Sequence, residues 1–175
     1  MRKIQTIALA AGILALFSRV GPLAADAPDP YPCRAQHTFD FWVGDFAATP
    51  WDKPDALPTG RLHNTREYDG CVIVERWTGR NSTGMSMSFY DPNRRAWRMV
   101  WVSDNGTSDD LEGEYRDGAM RFHGWVLNSA GRRVLVTNVL EKVSADTIRH
   151  VYSESDDGGK SWTVKSDGRF SRQKE

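Results

Sequence analysis

What this sequence lacks narrows its chemistry before any motif is read. It has no Cys-x-x-Cys and no His-x-x-x-His, and its four histidines (His37, His63, His123 and His150) stand far apart, so local spacing points to no metal. There is no Gly-x-Ser-x-Gly elbow and no phosphate-cradling glycine loop, which removes the usual serine-hydrolase and nucleotide-binding signatures. An excess of one charge is missing too. The 23 Lys and Arg balance 23 Asp and Glu, so nothing in the total asks for nucleic acid or an acidic membrane surface. No apolar run reaches the roughly 20 residues that a bilayer-spanning helix needs. Beyond the first residues no stretch carries a 3.6-residue apolar stripe, and strands do not alternate with long helices, which excludes parallel α/β folds.

The start of the chain reads as an address rather than as structure. Arg2 and Lys3 precede an apolar run from Ile4 to Phe17, and Leu23-Ala24-Ala25 offers small residues for cleavage. The expected division is a signal peptide at 1–25, an extended Pro-rich spacer at 26–36 and one domain at 37–172. Cleavage after residue 25 would remove three basic residues and no acid, leaving 20 basic against 23 acidic, a net charge of −3. A periplasmic or secreted protein is expected, with no stable membrane insertion after cleavage. Export gives Cys33 and Cys71, the only cysteines, a meaning: an even count in an oxidising compartment suggests a disulfide.

Past residue 60 the chain repeats one rhythm, six to ten residues rich in Val, Trp, Tyr, Phe and Thr followed by a turn such as Asp69-Gly70, Asp91-Pro92-Asn93 or Asp117-Gly118. Between turns apolar and polar residues alternate: Met85, Met87 and Phe89 with Ser86 and Ser88, then Trp97, Met99 and Trp101 with Arg98 and Val100. Period two marks a half-buried strand. The expectation is an all-β protein, an antiparallel up-and-down meander of about nine or ten strands that closes into a barrel and so removes its edges, with a two-sheet sandwich as the alternative. Phe39, Trp42 and Phe46 fall at helical offsets, so a short aromatic turn over 38–44 is predicted to plug one end before Gly44 releases the chain. Residues 47–60, with Pro50, Pro54 and Pro58, read as a loop.

Several of these features occur together in a known pattern. Phe39-Asp40-Phe41-Trp42-Val43-Gly44-Asp45-Phe46, Gly70-Cys71 with Glu75-x-Trp77, Gly84-x-Ser86, Tyr90-Asp91 with Trp97, and Glu154 through Trp162 resemble an uncharacterised bacterial family of exported lipocalin-like (calycin-type) proteins. The resemblance covers nearly all of 33–172 and implies a lipocalin-like β-barrel with no established activity. It also implies a floor in which Phe46, standing where lipocalins have Trp, lies under a cation from Arg169 or Arg172. A second likeness is local: Ser155-x-Asp157-x-Gly159-x-Ser161-Trp162 resembles the Asp-box of sialidase-type propellers, there a hairpin turn. One copy in a chain this short makes Asp157, Gly159 and Trp162 structural, as Trp42 and Gly44 are at the floor.

Three functions remain open. The first is a binding protein for a small apolar or amphipathic molecule, with Trp77, Met87 and Trp101 on the inner wall and Glu75 or His150 orienting the ligand. The second is a barrel enzyme, an isomerase or hydrolase with an inward Glu or His as general base. The third is a barrel filled by its own aromatics. Glu75 is the informative carboxylate: on the Ile73 and Trp77 face it meets the interior, on the other it pairs with an arginine such as Arg98. No cofactor is expected; a haem would need an axial His123 or His150.

Overall fold

The computed structural model describes residues 32–174, so the leader expected at 1–25 and most of the spacer expected at 26–36 lie outside the described residues. Two 3-10 turns, Pro32–Ala35 and Asp40–Trp42, precede ten strands: β1 (Gly44–Pro50), β2 (Gly60–Glu67), β3 (Val72–Gly79), β4 (Thr83–Asp91), β5 (Ala96–Ser103), β6 (Ser108–Arg116), β7 (Ala119–Leu127), β8 (Arg133–Lys142), β9 (Thr147–Ser155) and β10 (Thr163–Arg172). Each pairs antiparallel with its neighbours in the chain, and β1 pairs with β10, placing Phe46 opposite Arg172 and Ala48 opposite Phe170. That last ladder closes the barrel. Closure decides against the sandwich, because no strand edge is left for a second sheet.

One boundary differs from the sequence reading. Residues 47–50 belong to β1, and the loop is confined to 51–59. Pro50 ends the strand, where a missing N–H costs the ladder least, and the Pro-rich composition of the next residues masked the strand before it.

The barrel has two unlike ends. At the floor, Phe39, Trp42 and Phe46 are fully buried and form a stacked aromatic plug, with Trp42 and Phe46 ring centroids 5.5 Å apart. Phe39 meets Trp97 and Phe122 edge-on at 5.6 and 5.8 Å, tying the aromatic turn to β5 and β7. Arg172 supplies the cation. Its guanidinium lies 4.6 Å from the centre of the Phe46 ring and donates to the carbonyls of Val43 and Phe41. Gly44, at φ +124°, leaves that approach open; a Cβ there would overlap the guanidinium. The same end carries the Cys33–Cys71 disulfide, which fastens the first 3-10 turn to the residue before β3. At the other end lie the loop 51–59 and the turns after β3, β5, β7 and β9.

Candidate functional site

Strand register determines which side chains look inward. Glu75 of β3 stands opposite Ser86 of β4, Ser86 opposite Trp101 of β5, and Trp101 opposite Asp109 of β6. Residues in register share a sheet face, so one continuous inner row carries a carboxylate at each end and an indole between. On β9, His150, Tyr152 and Glu154 share the inner face. Above the filled floor these rows enclose a cavity of about 420 Å³. It is lined by Trp42, Trp77, Trp101, Met99, Leu140 and Phe170 among apolar residues, and reaches the barrel mouth at Thr107 and at Leu127 to Ser129. Glycines make room for its walls. A Cβ on Gly60 or Gly79 would strike the Trp77 ring, and one on Gly84 would strike Trp101, so both indoles pack close against neighbouring backbone.

Glu75 faces the interior. Its Oε2 accepts from the Ser86 hydroxyl at 2.8 Å, and the Trp42 indole also donates to it. It lines the cavity, and burial pushes its carboxyl up to about 7, the Ser86 hydroxyl and the Trp42 indole opposing the shift. The outward pairing with Arg98 is overturned: Arg98 lies on the opposite sheet face and pairs with Asp110. His150 is enclosed as deeply. Its Nε2 donates to Asn138 Oδ1 at 2.8 Å while the ring rests 5.5 Å from Phe170. Burial pushes its imidazolium down to about 4, so the ring is neutral at physiological pH. Nearer the mouth, the Tyr152 hydroxyl comes from β9 toward Asp109 of β6 and favours its charged form. Burial, and then the charge of Glu154, hold the Asp109 carboxyl above its usual range.

Of the five expected ligand-binding residues, four line this one cavity: Trp77 and Trp101 from the wall, and Glu75 and His150, expected to orient the ligand. Met87 does not. It stands in register with Val74 and Val100 on the outer face and is 41% exposed, while Ser86 and Ser88 take the inside of β4. The correction has a physical cause: on the inner face of β4 even a Cβ at Gly84 would overlap the Trp101 ring, and Ser86 is engaged by Glu75, so the inner face takes small residues and the methionines face out. His123 likewise points outward, which removes it as an axial ligand for anything in the barrel. Trp42, assigned to the floor, also forms the bottom of the cavity.

Sequence reasoning missed Asn138, Asp109, Tyr152 and Glu154. Asn138 had a visible signal, as the one polar member of the inward series Val134, Val136, Asn138, Leu140. Asp109 had none: beside Asp110 and the Asn105-Gly106 turn it reads as loop, and only the register with Trp101 turns it inward.

The Asp-box-like segment lies outside the cavity. Asp157 Oδ1 accepts from the amides of Lys160 and Ser161 at 2.9 and 3.0 Å and from the Ser155 hydroxyl at 2.7 Å, while Oδ2 accepts from the Ser161 hydroxyl at 2.6 Å. Gly158 and Gly159 take the positive φ values the turn requires. Trp162 approaches Gly159 and is 42% exposed. Among the described residues, no three His, Cys, Asp or Glu side chains converge in a way that would hold a metal, and no helix is long and apolar enough to cross a membrane. No protein-family model matches the chain, and no curated protein matches it.

Proposed function

We propose that this is an exported binding protein that holds a small, largely apolar molecule inside the barrel. The observation that carries the reading is the 420 Å³ cavity, walled by Trp77, Trp101 and Phe170 and furnished with a few inward polar groups, Glu75 and the His150–Asn138 pair foremost. Small-molecule sites combine these features: an apolar wall supplies affinity, and sparse polar groups set orientation. A ligand buried there gains about 25 cal/mol per Å² of apolar surface. The Cys33–Cys71 disulfide and the leader-like first residues support an oxidising, extracytoplasmic compartment.

Titration with N-phenyl-1-naphthylamine, an uncharged probe, checks this. Quenching of Trp fluorescence should saturate with a Kd on the order of micromolar. Ser166→Trp, which places an indole on the cavity wall, should weaken binding by about tenfold or more with the fold intact by circular dichroism. Absence of saturable quenching in the wild-type protein would instead favour a barrel filled by its own side chains.

A further inference from the structure

We infer that the ligand is a cation: an aromatic or aliphatic amine whose ammonium sits between Asp109 and Glu154 at the barrel mouth, with its apolar body below, along Trp101 and Trp77. This rests on the reading of the cavity as a binding site and adds the chemical class of its occupant.

The charge inventory of the cavity points this way. Its lining holds three carboxylates, Glu75, Asp109 and Glu154, one neutral histidine, and neither Lys nor Arg. A cavity meant for a fatty acid or another anion would present the reverse. Glu75 at the bottom already accepts from Trp42 and Ser86. Asp109 and Glu154 are less well supplied. They line the same cavity from β6 and β9, and the charge of Glu154 makes that of Asp109 more costly. The Tyr152 hydroxyl comes to Asp109, and Glu154 has a 3.8 Å ion pair with Lys165 Nζ on the half-exposed bulge of β10, beyond hydrogen-bond reach. A cation between them relieves the repulsion.

The aromatic geometry agrees. Trp101 is the inner-face neighbour of Asp109 in the ladder, so an ammonium against Asp109 also lies beside an indole, a favourable partner for a cation. That indole packs closely over Gly84 and lines the cavity, so it lies within reach of a cation held at Asp109. The Tyr152 hydroxyl, which also lines the cavity, comes to Asp109 from a non-adjacent strand and favours its charged form.

The test uses three probes with one naphthalene body and different end groups: 2-(1-naphthyl)ethylamine, 2-(1-naphthyl)ethanol and 1-naphthaleneacetate. Their Kd values are measured at pH 7 by calorimetry or competition. The amine should bind about tenfold or more tightly than the alcohol, and the acetate more weakly than either. In Asp109→Asn/Glu154→Gln the amine-to-alcohol ratio should fall to within about threefold of unity, whereas Asp117→Asn, in the floor-side turn, should keep it. Alcohol binding reports that the double variant has folded. Equal binding of all three probes, or an amine preference that survives the double substitution, would overturn the ammonium site while leaving a neutral-ligand carrier. Failure of every probe would overturn the binding reading as well.

Discussion

Glu75 and His150 carry opposite pH dependences through the same window. Glu75 holds its proton up to about 7 in the fold against an ordinary value of 4.5, so between those values the folded state binds more protons and stability falls as pH rises. His150 is pushed from 6.5 to about 4, so the folded state binds fewer protons and stability falls as pH drops through that range. Between about pH 4.5 and 6.5 the two slopes oppose each other, and their joint contribution should be nearly flat. Glu75→Gln removes one of them. Urea unfolding of that variant should show stability rising with pH from about 4 to 6.5, the His150 limb alone. At pH 8, where an ionised Glu75 is most costly, it should be more stable than wild type by on the order of 1–3 kcal/mol. Asn64 favours the exchange: it stands opposite Glu75 in the ladder, and its buried Oδ1 has no donor, which a Gln amide can supply. A variant less stable at pH 8 would mean that Glu75 is wet or paired with a cation.

At the scale of single elements, the β9–β10 hairpin and β4 show what local pattern can and cannot tell. The hairpin was legible because its chemistry is local. Ser155, Asp157, Gly159 and Ser161 interact within a few residues, and the Asp157 carboxyl is held well below the usual range, first by the Ser161 hydroxyl and then by the Ser161 amide and Ser155. Asp157→Ala should lower Tm by several degrees and leave probe affinity within about twofold of wild type. Because folding depresses this carboxyl, its contribution is present above about pH 4 and lost as pH falls through the folded value, so the Tm difference between variant and wild type should shrink on acidification. Loss of probe binding at unchanged Tm would place Asp157 in the site. β4 is the contrary case. Period two shows that Met85 and Met87 share a face but not which face looks inward. That depends on side chains from other strands: once Trp77 and Trp101 occupy the interior before β4, small residues must face them and the methionines are left outside.

For the molecule as a whole, barrel closure was legible from the turn rhythm and the absence of helical stripes, because a long, twisted antiparallel meander has few other ways to cover its edges. The aromatic floor was legible from the spacing of Phe39, Trp42 and Phe46. The depth of the cavity was not. Whether aromatics fill a barrel or line it depends on how close they can lie to its wall, and here Gly60, Gly79 and Gly84, on β2, β3 and β4, let the indoles pack tightly against it. Nor was the polar lining legible as a set, since Asp109, Asn138, Tyr152 and Glu154 come together only through the register of four strands.

The central claim is that the barrel interior is a space for a guest, and native mass spectrometry of the protein purified from its own host tests it most directly. The account predicts a population heavier than the disulfide-bonded chain by one small molecule. Gentle collisional activation should release that molecule as a cation, and the population should be missing from Ser166→Trp prepared in the same way. A single bare mass in wild type and variant alike, unchanged after incubation with naphthylethylamine or naphthylethanol, would contradict it.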